Sequence, residues 1–438
     1  MSVLRNNYPS EKDTPEPMAI NFPNASSNGL KNRQYYKFCL YGFLKNLRFF
    51  EPFLVLFFLE KGLSFVEIGI LYAVREIATN ILEIPTGFLS DALGRRRTMM
   101  ASFLFYILSF ILFYACQTFW FFVFAMILFA VGEAFRTGTH KAMIFDYLKN
   151  NGWADQKVYY YGHTRSWSQF GSAISSLIAA AIVFFSGGYN YVFLIATLPY
   201  LLDLLLIASY PKNLDGPINK LEKKGLLLRF KKLLKTFWIT FKNREVLIIA
   251  NNISLHTGYF KAIKDYLQPI LQTYALSLPF LLYFADDKRS ALVIGIIYFF
   301  IFLLTSFASR HAGKIASYFN NLQSPLNLTL AVGLLAGAIS GMAYFLGCTG
   351  ISIVIFILIY LIENLRKPIG TGHFASKVEE HILVIAFSAQ SQLSTLWGAL
   401  IAISMGIFVD WLGIGRGLFV LSLLLLIISI LFKLKKDN

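Results

Sequence analysis

Charged side chains stand inside long apolar runs of this 438-residue sequence. A charge at the centre of a bilayer costs about 2.5–3.5 kcal/mol on insertion scales, so each one requires a partner, water or a function. Most of these charges fall in four runs, at residues 36–59, 119–141, 246–273 and 350–369. The candidates for a substrate or ion pathway are Lys45, Arg48, Glu51, Glu133, Arg136, His140, His256, Lys261, Asp265, Glu363 and Arg366.

The spacing of these residues predicts polar stripes on helices. Two sets share one helical face each: Tyr41, Lys45, Arg48 and Pro52, and then Glu133, Arg136 and His140. Cations outnumber anions on the first and seventh apolar runs, and an anion relieves an excess of buried positive charge best. We therefore expect a substrate with a carboxylate or phosphate group, held by Arg48, Lys45 or Lys261.

Simpler interpretations of the same charges stay open. In the first, Glu363 and Arg366 form a self-neutralising pair that holds helices together. In the second, Lys45 and Lys261 extend their ammonium groups to a membrane face. The candidate proton carriers are Glu51, Glu133, Asp265, His140 and His256. The histidines stand on separate runs without cysteine support, which is weak evidence for a metal site.

Composition places these residues in a membrane protein. The chain is 56% hydrophobic and 16% aromatic, with a mean hydropathy of +0.57, more than a soluble domain needs. The net charge is +16, and the basic residues that produce it lie mainly between the apolar runs. In that position they indicate membrane topology and contact with anionic lipid, not with nucleic acid. Cys39, Cys116 and Cys348 predict no disulfide framework.

The apolar runs predict a six, linker, six organisation. Twelve spans are expected, at residues 36–59, 64–89, 98–116, 119–141, 160–185, 189–210, 246–273, 290–309, 326–347, 350–369, 382–409 and 414–432. The expected domains are a disordered cytoplasmic tail (1–35), a six-helix bundle (36–210), a basic cytoplasmic linker (211–245), a second six-helix bundle (246–432) and a short cytoplasmic tail (433–438). Residues 226–238 of the linker mix apolar and basic side chains at helical spacing, which predicts an amphipathic helix on the inner leaflet.

The distribution of lysine and arginine orients the chain. Placing both termini in the cytoplasm leaves few cations outside, namely Lys61, Lys288, Arg289 and Arg416. Lys367 is then counted among the cytoplasmic cations. The positive-inside rule thus predicts an integral multi-pass protein of the bacterial inner membrane with both termini inside.

One polar turn joins the second and third apolar runs. Its residues are Gly87-Phe88-Leu89-Ser90-Asp91-Ala92-Leu93-Gly94-Arg95-Arg96-Arg97. Gly87 is expected where two helices approach closely, and Gly94 where the chain needs a positive φ. Asp91 stands near a helix C-terminus, where negative charge is unfavourable, so it needs a partner. The candidates are the following arginines or the amides of another helix, near His381.

This turn resembles the loop signature of the major facilitator superfamily, G-x-L-a-D-r-x-G-R-r-x, which lies between that family's second and third helices. Ala92 replaces the family's usual arginine. The resemblance implies an all-α integral membrane fold, with twelve transmembrane helices in two six-helix bundles related by pseudo-two-fold symmetry. It also implies a central site between the first, fourth, seventh and tenth helices. The residues assigned to a cytoplasmic gate are Gly87, Asp91, Gly94, Arg95 and Arg96.

Short matches between the two halves support internal repetition, which is common in transporter folds. Glu51-Pro52 in the first span has a counterpart in Gln268-Pro269 of the seventh, and Glu133-Ala134-Phe135-Arg136 matches Glu363-Asn364-Leu365-Arg366. The second copy of the polar turn, at residues 306–314, keeps a glycine and cations but has no aspartate. We expect gate control to depend on the first copy.

The expected function is secondary active transport of a small polar, anionic metabolite by alternating access, with proton coupling left open. The alternative is an efflux antiporter for amphipathic drugs. Drug antiporters of the family usually carry a Gly-Pro pair in the fifth helix, and the segment Gly171-Ser172-Ala173-Ile174 has no proline. A non-transporting sensor or a membrane enzyme on the same fold is a third possibility. We expect a monomer with a small-molecule substrate, without enzyme activity and without a cofactor.

Overall fold

The structure is a computed structural model of the chain. It describes residues 31–153, 156–215, 243–279, 282–319, 321–378 and 383–435, apart from the side chains of residues 84, 88, 91, 157–159, 384 and 385. The predicted amphipathic helix at residues 226–238 and the environment of His381 lie outside these residues. All regular elements in the described ranges are helices.

Eight α-helices lie in the described part of the first half, residues 31–215. They are α1 (Arg33–Lys45), α2 (Leu54–Glu60), α3 (Phe65–Leu93), α4 (Arg95–Ala115), α5 (Phe119–Arg136), α6 (Thr139–Asn150), α7 (Lys157–Ser186) and α8 (Tyr191–Ala208). The second half, from residue 243, contains α9 (Arg244–Ile263), α10 (Leu267–Ser277), α11 (Asp286–Ala316), α12 (Gln323–Phe345), α13 (Thr349–Ser376) and α14 (Leu383–Ser429).

Eight helical segments among the described residues are long and apolar enough to cross a membrane. The longest runs from Ala386 to Phe432, spans 47 residues and is interrupted at Gly413, where φ is 80°. At 1.5 Å per residue its length is about 70 Å, enough for two crossings of a ~30 Å core. The helices observed here follow the predicted spans in order, and the count of twelve crossings stays a prediction.

The first predicted span is broken where charged residues enter it. α1 ends at Lys45, and Asn46 caps it by donating its side-chain N–H to the Gly42 carbonyl at 2.6 Å. A 3₁₀ turn at Glu51–Phe53 then precedes α2. The prediction of one continuous stripe through Lys45 and Arg48 is therefore wrong, because the helix ends between them.

The fourth predicted span is also broken. α5 ends at Arg136, and α6 begins after Gly138, whose φ of 78° is incompatible with a continuing right-handed helix. The prediction that Glu133, Arg136 and His140 share one helical face is therefore wrong, since His140 belongs to the next helix.

Two pairs of long helices join the halves. α3 packs along α14, and α7 packs along α11. α3 and α14 run antiparallel, because Phe65 lies beside Asp410 while Asn80 lies beside Thr395. An added Cβ at Gly406 would clash with the backbone carbonyl group of Phe65, whose carbon would lie 2.8 Å away, so this contact requires glycine. We call the face with the end of α3 and the start of α14 the loop face, and the other the opposite face.

Candidate functional site

A cavity of about 580 Å³ lies between the two halves, and we call it the central cavity. Six cationic and five acidic side chains line it, against three apolar ones, Phe50, Leu54 and Phe129. The charged lining residues are Arg48, Glu51, Arg75, Glu76, Glu83, Glu133, Arg136, Lys261, Lys264, Asp265 and Lys367. A lining of this kind suits a polar ligand with charged groups.

Two guanidinium groups share one carboxylate in the first half. Arg48 Nη2 lies 3.5 Å from Glu133 Oε2, and Arg136 Nη2 contacts Glu133 Oε1. The Tyr106 hydroxyl donates to Glu133 Oε2 and accepts a hydrogen bond from Arg136 Nε at 3.2 Å. We call these four residues the Glu133 cluster. Its ionised side chains sum to one positive charge.

A second shared carboxylate connects the two halves. Glu76, on α3, lies 3.3 Å from Arg75 Nη2 and 2.7 Å from Lys261 Nζ, on α9. The Arg75 guanidinium also stands 4.9 Å from the centre of the Tyr72 ring, a cation–π contact that fixes its position. We call Arg75, Glu76 and Lys261 the Glu76 cluster, which likewise sums to one positive charge.

The third cluster has the opposite balance. Lys264 Nζ lies 3.3 Å from Glu51 Oε1 in the first half and 2.8 Å from Asp265 Oδ1 in the second. Lys264 and Asp265 occupy a 3₁₀ turn between α9 and α10, which the Tyr360 hydroxyl fixes by donating to the Lys264 carbonyl at 2.7 Å. We call Glu51, Lys264 and Asp265 the Lys264 cluster, and it sums to one negative charge.

Two of the sequence candidates, Lys45 and His140, lie in a separate cavity within the first half. This side cavity has a volume of about 200 Å³ and shares Arg136 with the central cavity. The His140 ring stacks on Tyr41 with centroids 3.6 Å apart. His140, after the break, lines only the side cavity, whereas Arg136 lines both cavities.

Three further candidates are buried inside the second half and do not line the central cavity. His256 Nδ1 lies 2.7 Å from Glu363 Oε2, and the Thr257 hydroxyl donates to Glu363 Oε1 at 2.9 Å. Arg366 instead donates to the backbone carbonyl and side-chain oxygen of Asn252, each at 2.9 Å. Glu363 and Arg366 therefore take separate partners in place of the mutual pair considered from the sequence.

The polar turn after α3 is held by carboxylates of the first half. Gly94 has a φ of 92°, as expected for the end of the helix. Arg95 pairs with Asp146, and the Arg96 backbone N–H donates to Asp215 Oδ1 at 2.9 Å. These two arginines thus contact carboxylates other than Asp91, whose side chain lies outside the described residues.

Gly87 does not have the role expected for it. It is exposed, and a Cβ added there would meet no described atom within 4 Å. The expectation that another helix approaches closely at this residue is therefore wrong, because no described atom lies near enough to exclude a side chain.

Contacts at the opposite face join the halves beyond the central cavity. Gln268 accepts from the Val55 backbone N–H at 2.8 Å and donates to the Glu51 carbonyl at 2.9 Å. Asp410 accepts from the backbone N–H groups of Phe65 and Val66 at 3.0 and 2.9 Å. In the part of the chain that the structure describes, the hydrogen bonds between halves lie at the level of the cavity or toward the opposite face. The molecule is therefore closed at that face.

Four charged lining residues, Arg75, Glu76, Lys264 and Lys367, are not among the candidates that the sequence pattern predicts. Lys367 was counted as a cytoplasmic cation, but α13 continues through it and it lines the cavity. The composition of α3 could have indicated these lining residues. This helix is 29 residues long but is not among the eight segments that are apolar enough to cross a membrane. Its charged residues exclude it, and such charges in a membrane helix mark a polar pathway.

Comparison with known proteins places these features in a family. The model of the Major Facilitator Superfamily matches residues 39–387. An uncharacterized MFS-type transporter, YxaM of Bacillus subtilis (strain 168), is 22% identical over 392 residues, which cover 89% of this chain and 93% of that protein.

Solved transporters share the fold at low sequence identity. The nucleoside transporter NupG superposes with a TM-score of 0.69 at 14% identity, covering 92% of this chain and 97% of NupG. A POT family transporter in complex with a thioalcohol-conjugated peptide gives 0.69 at 14% identity, with 91% and 95% covered. A bacterial homologue of the human lysosomal transporter Spinster, in an inward-facing and unoccupied conformation, gives 0.68 at 13% identity, with 92% and 97% covered. With the family model matching most of its length, this all-α, multi-pass membrane protein belongs to the Major Facilitator Superfamily.

Proposed function

We propose that this chain is a secondary active transporter that moves a small, polar, anionic metabolite by alternating access. The observation that carries the proposal is the charge balance of the central cavity. In the Glu133 and Glu76 clusters two cations share one carboxylate, and the charged groups of both clusters line the cavity. An anionic group that enters the cavity completes the coordination of both clusters.

Lys261 connects binding to conformational change. Its bond to Glu76 joins α9 to α3, and therefore joins the two halves. A substrate carboxylate or phosphate competes with Glu76 for this ammonium group. Loss of the cross-half bond favours separation of the halves at the closed face, because a ligand shifts an equilibrium through its different contacts in the two states.

The Lys264 cluster is the proposed site of proton coupling. Here one cation serves two carboxylates, Glu51 and Asp265, so one negative charge is left over. Binding a proton neutralises this charge and weakens the bond between Glu51 and Lys264, which also joins the halves. Glu51→Gln is expected to keep substrate exchange and lose acceleration by a pH gradient.

The charged lining also bears on the drug-efflux alternative. A lipophilic cation binds best to apolar and aromatic walls that carry an acidic group in excess over the cations. Among the described lining residues, only Phe50, Leu54 and Phe129 are apolar, and six cations stand against five acidic groups. We therefore keep the polar metabolite as the proposed substrate. Deletion that changes sensitivity to unrelated lipophilic cations would instead favour efflux.

The proposed location is the bacterial inner membrane, with the loop face and both termini in the cytoplasm. The bias of lysine and arginine between the two sides supports it. Thiol labelling of single-cysteine variants in right-side-out vesicles tests this location. A membrane-impermeant thiol reagent is expected to label the Lys149→Cys variant only after the membrane is permeabilised.

Counterflow in proteoliposomes tests the proposed function. The probes are short mono- and dicarboxylates and sugar phosphates, each compared with its neutral amide or alcohol. Arg48→Gln and Lys261→Gln are expected to reduce exchange of the transported anion at least tenfold. Lys149→Gln, an exposed cation outside the cavity, is the matched control. Full exchange of every anion in both cavity variants would contradict the proposal, and absence of saturable exchange would favour a sensor or an enzyme.

A charge reversal separates two roles of Lys261. The double variant Glu76→Lys with Lys261→Glu restores an ion pair between the halves but removes the cation from α9. We expect the double variant to be as stable as the wild-type protein but to exchange the anion poorly. Full recovery of exchange would show that Lys261 acts only through its pair with Glu76.

A further inference from the structure

The side cavity lies inside the first half, next to the loop face, and its charge is unlike that of the central cavity. Four of its lining residues are cations and one is a histidine: Lys45, Arg136, Lys141, Arg165 and His140. Its other described lining residues include hydroxyl and aromatic side chains, and no carboxylate. Like charges gathered around about 200 Å³ repel one another unless an anion stands between them.

Most of these cations lack a carboxylate partner. Arg136 pairs with Glu133, whereas Lys45, Lys141 and Arg165 have none within 4.0 Å among the described residues. Glu133 and Asp203 both act electrostatically on Lys45, but neither lines the side cavity. Asp203 is fully buried, and its oxygens accept no hydrogen bond from the described residues. Among the described residues, three of the four cations that line the side cavity therefore have no carboxylate in contact with them.

Neighbouring aromatic rings hold the basic groups in place. Lys141 Nζ stands 5.4 and 5.5 Å from the ring centres of Phe145 and Tyr161, and His140 stacks on Tyr41. The Tyr41 hydroxyl is buried in the wall of the cavity, and the Arg136 guanidinium is its hydrogen-bonding neighbour. An oxygen of a ligand in the cavity can accept a hydrogen bond from this hydroxyl.

We propose that the side cavity binds a phosphate group, either inorganic phosphate or the phosphate of a lipid headgroup. A phosphate carries up to two negative charges and several strong acceptor oxygens, which match three cations without a carboxylate in contact and the hydroxyl of Tyr41. The cavity adjoins the loop face, where both sources can reach it. Arg136 belongs to both cavities, so occupation of the side cavity holds one end of the Glu133 cluster in place. Binding here does not depend on the proposed transport function.

Equilibrium dialysis of the purified full-length protein against radiolabelled inorganic phosphate tests the free-anion source, with sodium chloride balancing the ionic strength. We expect one phosphate per chain, and Lys45→Gln and Arg165→Gln each to weaken binding at least tenfold. Arg165→Lys keeps the charge and is expected to bind within a few fold of the wild type. Arg48→Gln reports on the central cavity. Binding that is lost in Arg48→Gln but kept in both side-cavity variants would overturn the proposal.

Native mass spectrometry of protein purified with phosphatidylglycerol tests the lipid source. A retained lipid that is lost in Arg165→Gln, and that free phosphate displaces, assigns the phosphate to a headgroup. If neither phosphate nor phosphatidylglycerol binds the folded wild-type protein, the proposal is wrong. Because these measurements involve no transport, their failure is distinct from failure of the counterflow assay.

Discussion

Removing the Asp410 carboxylate is expected to open the molecule at the opposite face. This side chain, on α14, accepts hydrogen bonds from the backbone N–H groups of Phe65 and Val66 at 3.0 and 2.9 Å. Those groups belong to the first turn of α3, where unsatisfied N–H groups and the helix dipole favour negative charge. Asp410 thus caps a helix of the other half, and Asp410→Ala removes these two hydrogen bonds between the halves.

The size of the effect follows from the two bonds. Hydrogen bonds to a charged acceptor are worth about 1.5–3 kcal/mol each when buried. Asp410 is exposed, so water replaces part of this energy, and the loss of a helix cap, about 1–2 kcal/mol, is the better measure. That free energy changes the ratio of closed to open molecules by about five- to thirtyfold. Asp410→Asn keeps one acceptor oxygen and is expected to give a smaller change.

Spin-label distances measure this equilibrium. One label is attached to a Lys61→Cys variant, after α2 in the first half, and the other to the exposed Cys348, before α13 in the second half. Cys39 and Cys116 are replaced by alanine so that they are not labelled. Asp410→Ala is expected to raise the population at long distance. An unchanged distance distribution in a folded variant would refute the assignment of Asp410 as a tie between the halves.

Two other predictions concern residues in different surroundings. Asp91→Asn is expected to slow exchange at least tenfold while the dissociation constant of the substrate changes less than threefold, as measured by counterflow and by binding to purified protein; loss of binding would show that the loop is scaffolding. Glu363→Ala leaves the buried His256 ring without its hydrogen-bond partner, and we expect it to lower the free energy of unfolding by about 1–3 kcal/mol, seen as a lower thermal transition in detergent. A Glu363 variant that keeps its stability but loses substrate affinity would place this pair in the binding site instead.

The membrane class and the order of the elements could be predicted from the sequence because the bilayer imposes them. A hydrocarbon core of fixed thickness requires apolar runs of a minimum length, and such runs are visible without any tertiary contact. The turn at Gly94 was predictable for a similar reason, since a positive φ is a local property that glycine satisfies. The family followed from the same short stretch of chain.

The partners of the charged residues were decided only by the tertiary structure. Glu76 and Lys261 are 185 positions apart, and no spacing rule connects residues on helices of different halves. Local breaks had the same effect over short distances: Lys45 and Arg48 are three positions apart, yet the end of α1 places them in separate cavities. The sequence alone therefore determined that embedded charges need partners, because a bilayer penalises each one. Which charges meet depends on how the helices pack, and packing is a property of the whole fold.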